Sequence, residues 1–284
     1  MCSTFAAAAT VVISHPPMTR ERRFDGQVVW ITGASSGIGA ALAEEFARDG
    51  ARLILSARRR VELEQVASRC GEEPLILPLD LGRSDEFASH VSAVLAHFGR
   101  IDVLVHNGGV SQRSRALDTH LDVDRRIMEV NYFGAVALTK AVLPTMLKAS
   151  SGHIVVVSSV MGKLGTPLRS AYAASKHALH GFFDCLRAEI ADHGVFVTLI
   201  CPGYVRTDIS KNALTGDGSP KNETGRDVEA GHPVDRTAQQ ILAAVGARRS
   251  EAYVGAFGKE RLALLLKRVA PGLIERIARR SAPQ

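Results

Sequence analysis

Short apolar runs alternate with longer segments of helical period, and this alternation constrains the fold of the chain more than any single motif. The runs have the length and β-branched content of buried strands. Seven of them are predicted as strands: residues 27–32, 52–57, 75–81, 101–105, 154–158, 195–200 and 252–254. Because strand–helix units that repeat about every 25 residues pair through crossover connections, we expect an α/β fold with a doubly wound parallel sheet and helices on both faces.

The length and composition favour one large domain with an extension at each end. A chain of 284 residues with 46% apolar content can bury a full core, which we place in residues 24–257. Residues 1–23 are predicted to be a flexible leader because of the break at His15-Pro16-Pro17, and the apolar run at 5–13 is too short to cross a bilayer. Residues 258–284 form a distinct basic tail.

Basic residues are concentrated in that tail. The chain has a formal net charge of +6, and the tail contributes seven basic and two acidic side chains, a net +5. The remainder is close to neutral, which argues against a nucleic-acid-binding protein. The four cysteines have no spacing typical of a metal site, so we predict no metal and reduced thiols in a cytoplasmic protein.

A glycine-rich turn joins the first predicted strand to a helix. It reads Gly33-Ala-Ser-Ser-Gly37-Ile-Gly39, in which glycines permit a tight turn and let backbone N–H groups approach a pyrophosphate at the helix N-terminus. A glycine turn without a ligand is the alternative. The predicted cofactor-binding residues here are Gly33, Ser35, Ser36, Gly37, Ile38 and Gly39. The fold class is then a Rossmann-type sheet of about seven strands.

The second strand indicates which dinucleotide is bound. An acidic residue about 20 positions after the glycines would accept from the ribose 2′-hydroxyl of NAD. The chain instead has Arg58, Arg59 and Arg60 after that strand. Arg58 can pair with a 2′-phosphate, which favours NADP(H). A solvated helix start is the alternative interpretation, and Arg60 fits it best.

Three reactive side chains follow the strand at 154–158. Ser159 comes at its carboxyl end, where open parallel sheets bind ligands. Tyr172 and Lys176 are four apart in an Ala-rich helical segment and therefore share one helix face. A hydroxyl, a phenol and an ammonium are thus expected to converge on one crevice.

Together with Asn131 and the glycine turn, this Ser-x12-Tyr-x3-Lys spacing resembles the short-chain dehydrogenase/reductase family over residues 24–255. The resemblance implies a catalytic tetrad of Asn131, Ser159, Tyr172 and Lys176, with Tyr172 and Lys176 also contacting the cofactor. It implies that Asn131 bends its helix and holds a water. It implies further cofactor contacts at Asp80, Leu81, Asn107, Gly108, Pro202, Gly203, Val205 and Thr207. Asp80 is alternatively a helix cap, and His106 and Gly108 depart from the family's pattern.

The reaction implied by the resemblance is hydride transfer between a nicotinamide and a carbonyl or secondary alcohol. Tyr172 would move the proton, with its pKa lowered by Lys176, and Ser159 would bind the substrate oxygen. Three alternatives stay open: an NAD-dependent alcohol dehydrogenase, a reductase of 3-oxoacyl chains, and a non-catalytic NADP-binding sensor or scaffold. The substrate is expected to be small or lipophilic, bounded by a loop at 111–118 and a mobile lid at 208–233.

The tail and two long helices are the segments predicted to contact partners. Leu262, Leu265, Leu266 and Val269 recur at helical spacing among basic residues, so the tail either lies on anionic lipid or packs on protein. The resemblance implies pairing through helices at 121–147 and 172–193, hence a homodimer or a homotetramer. The predicted apolar contacts are Met128, Phe133, Val136, Phe182, Phe183 and Leu186.

Overall fold

The structure, a computed structural model, describes residues 22–71, 73–223, 226–256 and 258–280. Seven strands form one parallel sheet in the order β3-β2-β1-β4-β5-β6-β7. Their bounds are β1 Val28–Thr32, β2 Arg52–Ser56, β3 Leu75–Ile76, β4 Val103–His106, β5 Gly152–Val157, β6 Val195–Pro202 and β7 Glu251–Val254. The predicted doubly wound parallel sheet is confirmed.

Helices cover both faces of this sheet. Their bounds are α1 Gly37–Arg48, α2 Arg60–Ala67, α3 Phe87–Phe98, α4 Leu121–Met128, α5 Gly134–Lys148, α6 Ser170–Glu189, α7 Arg226–Glu229, α8 Val234–Gly246, α9 Lys259–Val269 and α10 Pro271–Arg280. Two hydrophobic cores result, one against α1, α2 and α8 and the other against α3, α5 and α6. Alternate residues of β1 enter opposite cores, Val29 and Ile31 the first and Val28 and Trp30 the second.

The third strand is much shorter than the predicted 75–81. Its ladder contains only Leu75 and Ile76, because Pro78 has no N–H to donate. The N–H groups of Leu77 and Leu79 still donate to the carbonyls of Leu55 and Ala57 on β2. The chain therefore stays extended beside the sheet, but the strand ends well before Asp80.

The long helix predicted at 121–147 is interrupted. Between α4 and α5, residues Glu129–Phe133 form a π-helical turn. The joined segment Leu121–Lys148 is long and apolar enough to cross a membrane by length and composition alone, yet half of its most apolar window is buried in the domain. Burial of that kind is typical of a core helix.

Three residues assigned to a subunit interface were placed on the wrong surface. Phe183 and Leu186 of α6 and Val136 of α5 are buried inside the subunit itself. Phe133, in contrast, is 50% exposed. An apolar helix that is flanked by apolar neighbours on several sides gives little indication of which face turns inward, and this explains the error.

The tail forms two helices, α9 and α10, joined at Ala270. The predicted apolar stripe is exposed, with Leu262, Leu265, Val269, Leu273 and Ile277 each 46–67% accessible. These five side chains are therefore open to solvent in the described structure, while Leu266 and Ile274 are half-buried. At the other end, Arg23 donates its backbone N–H to Asp49 Oδ2 at 3.0 Å, whereas residues 1–21 of the predicted leader lie outside the described residues.

Candidate active site

A cleft of about 800 Å³ runs along the carboxyl edge of the sheet where β1 adjoins β4. This is the point at which the strand order reverses, and such points bind ligands in open α/β sheets. Next to the cleft lies a smaller cavity of about 120 Å³, which we call the inner cavity, lined by Ser159, Tyr172 and Lys176. Asn107, Gly109 and Thr207 line both spaces, so the two are continuous.

The glycine turn forms the floor of the cleft. Gly33 has φ +64°, and a Cβ there would lie 2.6 Å from Gly108 Cα. Gly37, also left-handed at φ +56°, begins α1, whose first N–H groups have no partner within the helix. Ser35, Ser36 and Ile38 line the cleft beside them. Their arrangement fits a pyrophosphate, because the glycines permit the tight turn that brings the first N–H groups of α1 to the cleft.

Asn107 and Gly108 fasten this turn to β1. The Asn107 side-chain amide donates to the carbonyls of Thr32 and Gly33 at 3.2 and 3.1 Å. The Thr32 hydroxyl accepts from the backbone N–H groups of Asn107 and Gly108 at 3.1 and 3.2 Å. A Cβ on Gly108 would lie 2.6 Å from Leu81 Cδ1, so a larger residue here would have to displace the end of the Leu81 side chain.

We call the far part of the cleft, beside β2 and the residues after β3, the outer end. Arg58 and Arg59 both line it and both are exposed. Arg58 has no ion pair or hydrogen bond with any described residue, whereas Arg59 pairs with Glu62 at 3.1 Å and donates to Ser35 Oγ at 3.4 Å. Sequence reasoning did not single out Arg59, although it follows Arg58 directly.

Arg60 and Asp80 complete this end. Arg60 pairs with Glu64 along α2 at 3.6 Å and does not line the cleft. This agrees with its interpretation as a solvated residue at the start of a helix. Asp80 Oδ1 accepts from the backbone N–H of Gly82 at 2.9 Å, which closes a turn and caps no helix. Asp80 and Leu81 line the cleft together with Arg126, which the sequence did not indicate.

The structure brings Ser159, Tyr172 and Lys176 together in the inner cavity. Ser159 heads a short 3₁₀ turn, and its hydroxyl accepts from the Met161 N–H at 3.1 Å. Lys176 Nζ donates to the Val157 carbonyl at 2.9 Å and lies 5.7 Å from the centroid of the Tyr172 ring. The end of β5 and one face of α6 therefore position all three groups.

Asn131 is placed by the π-helical turn. Its Oδ1 accepts from the Val110 N–H at 2.8 Å, and its Nδ2 donates to the Val110 carbonyl at 2.9 Å and to Ser175 Oγ at 3.0 Å. The buried Ser175 hydroxyl donates in turn to the Tyr172 carbonyl at 2.8 Å. Sequence reasoning missed Ser175, although its position between Tyr172 and Lys176 was a signal that could have found it.

Burial controls the ionisation of the two titratable groups. It raises the pKa of the Tyr172 phenol, and a hydrogen bond with Ser159 and the charges of Arg169 and Arg113 oppose this only in part. Burial also lowers the pKa of the Lys176 ammonium to about 8. The expected lowering of the Tyr172 pKa by Lys176 is therefore not seen in this arrangement, because desolvation outweighs the nearby charges.

The remaining predicted cofactor residues lie at the end of β6 and in the loop after it. Pro202, Gly203, Val205 and Thr207 all line the inner cavity. The Gly203 N–H donates to the Val254 carbonyl at 3.0 Å, and a Cβ on Gly203 would lie 2.5 Å from the Gly255 carbonyl. The loop is thus held against the end of β7, where it can form one wall for a nicotinamide.

The loop at 111–118 and the predicted lid at 208–233 are joined to each other. The Leu214 N–H donates to the Ser111 carbonyl and the Arg113 N–H to the Leu214 carbonyl, both at 2.8 Å. Ser210 and Ala213 are buried, and Ile209 and Leu214 line the cleft. The described part of this segment therefore covers the cleft and is anchored, and its mobility stays a prediction.

Behind the inner cavity, three potential metal ligands approach one another. Cys201 Sγ lies 3.7 Å from His180 Nε2, and His180 Nδ1 lies 3.5 Å from a Glu251 oxygen. The spacing along the chain gave no signal of this cluster. Lys163 Nζ is only 2.7 Å from the same Glu251 oxygen and already supplies a positive charge, so we assign no metal here.

Comparisons with known proteins agree with this geometry. Residues 27–217 match the family described as short chain dehydrogenase. The chain is 45% identical over 259 residues to dehydrogenase/reductase SDR family member 7B of Bos taurus, covering 88% of this chain and 79% of the relative.

Two solved structures show the same fold. A metagenomic short-chain oxidoreductase in complex with NADP has a TM-score of 0.67 at 30% identity, covering 82% of this chain and 96% of that one. A short-chain dehydrogenase/reductase from Burkholderia phymatum in complex with NAD has a TM-score of 0.77 at 25% identity, covering 92% and 99%. Similar proteins thus bind either nicotinamide cofactor.

Proposed function

The chain belongs to the short-chain dehydrogenase/reductase family of oxidoreductases, and from this premise we propose that it uses NADP(H) to interconvert a carbonyl and a secondary alcohol. One observation carries the proposal. The inner cavity presents the Tyr172 phenol, the Ser159 hydroxyl and the Lys176 ammonium beside a glycine-floored cleft of dinucleotide size.

The roles of the side chains follow from where they lie. The nicotinamide supplies or accepts the hydride, so the protein has to orient the substrate and move one proton. Ser159 binds the substrate oxygen, and Tyr172 protonates the developing alkoxide during reduction. Lys176 is held at the Val157 carbonyl, close enough to stabilise the phenolate that remains.

The space between Asn131 and Lys176 supports a route for replacing that proton. A Cβ on Gly109 would lie 3.0 Å from Asn131 Oδ1 and 3.8 Å from Lys176 Nζ. Glycine at this position therefore leaves room between the two side chains. We propose that a water there connects Lys176 to solvent, as the resemblance implied.

The choice of NADP(H) rests on the outer end of the cleft. Arg58 has no described partner there, and a guanidinium with unused donors is suited to the 2′-phosphate. The test is kcat/KM with NADPH and with NADH over a panel of ketones, aldehydes, steroids and quinones. We expect NADPH to be preferred at least tenfold, whereas preference for NADH would support the NAD-dependent alternative.

Absence of turnover with both cofactors, despite tight NADPH binding, would favour a non-catalytic sensor or scaffold.

For the tail we propose contact with an anionic lipid surface. The stripe on α9 and α10 is exposed, and Arg261, Lys267, Arg268, Arg276 and Arg279 accompany it, so that an apolar face and positive charge occur together. Such helices lie in the interface of anionic bilayers. This location at a membrane surface would make the protein peripheral to the cytoplasmic leaflet.

Vesicle co-sedimentation tests the lipid proposal. The full chain should bind anionic phospholipid vesicles and bind phosphatidylcholine vesicles weakly. The double variant Leu273→Glu, Ile277→Glu should lose binding, while Leu117→Glu, which changes an 89% exposed leucine outside the tail, should keep it. Equal binding by both variants would contradict the proposal and favour packing of the tail on protein.

We also propose that two subunits pair through α4, α5 and α6, as the resemblance implied. Phe133 is exposed, and a Cβ on the exposed Gly181 of α6 meets only open space. Light scattering should show a homodimer or homotetramer for the full chain. Gly181→Arg should yield monomers, whereas Gly272→Arg in the tail should not.

A further inference from the structure

Positive charge is concentrated in the inner cavity. Arg113, Arg169 and Lys176 all line it, and none of the described lining residues is acidic. Lys176 is accounted for by the proposed mechanism and by its bond to Val157. Two guanidiniums beside a reacting phenol are not needed for hydride transfer, and the charge of Arg169, which has no ion pair with a described residue, is costly in a half-buried cavity without a counter-charge.

The fold brings Arg169 to the cavity through an unfavourable backbone. Leu168, directly before it, has φ +67°, a left-handed conformation that is unfavourable for a residue with a Cβ. The Leu168 carbonyl accepts from the Ser114 N–H at 3.2 Å, which ties this turn to the loop carrying Arg113. A constraint of this kind is typical of a functional position.

The two arginines are fixed in different ways. The Arg169 guanidinium carbon lies 5.3 Å from the centroid of the Tyr204 ring, and Arg169 has no ion pair or hydrogen bond with any described residue. Arg113 Nη1 donates to the Gln112 carbonyl at 2.9 Å and to Ser111 Oγ at 3.3 Å. Stacking and short backbone bonds orient both guanidiniums while leaving donor groups of Arg169 available.

Both charges are close enough to act on the reacting group. They are among the causes that hold down the pKa of the Tyr172 phenol against burial. The pyrophosphate is assigned to the glycine turn and the 2′-phosphate to the outer end beside Arg58 and Arg59, so the cofactor's phosphates do not account for the pair at the inner cavity.

We propose that the substrate carries an oxyanion, a carboxylate or a phosphate monoester, a few bonds from its reacting carbonyl, and that Arg169 binds it, with the positive charge of Arg113 on the same side of the cavity. This inference rests on the proposed carbonyl–alcohol oxidoreduction. Guanidinium groups match both anions in a two-pronged geometry, so the shared chemistry is a planar or tetrahedral oxyanion at the mouth of the cavity. Arg169 then determines specificity, and Tyr172 carries out the chemistry.

Matched ketone pairs test the inference, with NADPH held at saturation. One pair is 4-oxopentanoate and its methyl ester, and the other is hydroxyacetone phosphate and hydroxyacetone. We expect the anionic member of at least one pair to have a kcat/KM about 10–100 times that of its neutral partner. The pair that shows the difference identifies carboxylate or phosphate as the source of the charge.

The variant Arg169→Met keeps an unbranched side chain and removes the guanidinium, with its charge and its hydrogen-bond donors. It should lower kcat/KM for the preferred anion at least tenfold, mainly through KM, and change the neutral partner less than threefold. Arg169→Lys should restore part of the loss. The control is Arg115→Met, an exposed arginine that pairs with Asp118 at 3.8 Å and does not line the cavity.

The two failures are distinguishable. Equal turnover of both members of each pair, unchanged by Arg169→Met, would overturn the anionic substrate and leave the proposed oxidoreduction intact. If neither these ketones nor the wider panel were reduced, while NADPH still bound, the proposed function itself would be contradicted. A parallel loss for anion and ester in Arg169→Met would also overturn the inference, since it would indicate a merely structural role.

Discussion

Around the catalytic groups of the inner cavity the polar side chains are buried and hydrogen-bonded, whereas at the outer end of the cleft the arginine side chains are exposed and bonded to few partners. Asn131, Ser175 and Lys176 are all less than 5% accessible, and each has a hydrogen bond. Arg58 and Arg59 extend into solvent from a turn after β2. The inner groups are therefore placed by the packing of the sheet and helices, and the outer groups mainly by local chain geometry.

This difference indicates which parts of the site can change independently. Replacing a buried member disturbs several partners at once, so chemistry and stability should change together. Replacing an exposed arginine removes one interaction, so it should alter cofactor choice and little else. Four substitutions test that division, from the largest expected effect to the smallest.

The largest effect is expected at the phenol. Tyr172→Phe removes the group that moves the proton but keeps the ring, so turnover should fall by about 10²–10⁴-fold while NADPH binding is retained. Stopped-flow hydride transfer and fluorescence titration of NADPH measure the two separately. Near-normal turnover would contradict the assignment of Tyr172 as general acid.

The next effect is expected at the outer end. Arg58→Ala should weaken NADPH binding about 10–100-fold and leave NADH binding nearly unchanged, because only NADPH has the 2′-phosphate. Calorimetry with both cofactors measures this. Arg60→Ala is the control, since Arg60 pairs with Glu64 and does not line the cleft. Equal losses for NADPH and NADH would mean that Arg58 does not contact the phosphate.

The third prediction concerns the pH dependence of stability at a buried residue, His106. His106, at the end of β4, accepts or donates one hydrogen bond with Thr139 at 2.7 Å, and burial lowers its pKa from 6.5 to about 3. A lowered folded-state pKa gives stability that is present above pH 6.5 and is lost as the pH falls towards 3. Between pH 7 and pH 5 this residue should cost about 2 kcal/mol.

Urea unfolding of His106→Asn at both pH values checks this. The variant should lose about 2 kcal/mol less than the parent on acidification. Some acid sensitivity should remain, because burial also lowers the pKa of His153 to about 4. An unchanged pH dependence would show that His106 does not contribute.

The smallest effect is expected at Arg59. Its guanidinium already pairs with Glu62, and exposed ion pairs of this kind contribute little. Arg59→Ala should therefore weaken NADPH binding by about threefold. A loss as large as that of Arg58→Ala would mean that both arginines bind the phosphate, and would remove the distinction between them.

Much of this arrangement could be predicted from the chain. The sheet followed from apolar runs and crossover lengths, and all the predicted site residues except Gly39 and Asn131 line the cleft or the inner cavity. Gly39 is packed under the turn against Gly33, and Asn131 lies behind the cavity. Motifs of this kind are local, since each needs only a strand end and the first turn of a helix.

The features that were missed depend on contacts between distant segments. The inner cavity receives Arg169 through a left-handed Leu168 that is bonded to Ser114, and no local pattern signals that contact. The wrong interface assignment of Phe183 and Leu186 has a similar origin, because only the packed neighbours decide which face of an apolar helix is covered. The early end of β3 is a different case, because Pro78 is visible in the sequence and its missing N–H could have predicted it.

The π-helical turn at Glu129–Phe133 makes the chain sensitive to insertions and deletions rather than to substitutions. A turn of this type holds one residue more than an α-helical turn. Losing one of the four residues other than Asn131 would allow α4 and α5 to join as a regular helix with the number of turns unchanged, and would move the Asn131 side chain by about 100° around the helix axis relative to one of the two flanking helices. Asn131 would then turn away from Val110 and Ser175. The number of residues between α4 and α5 therefore positions Asn131, and a one-residue deletion here should disturb the site more than most single substitutions in the same segment.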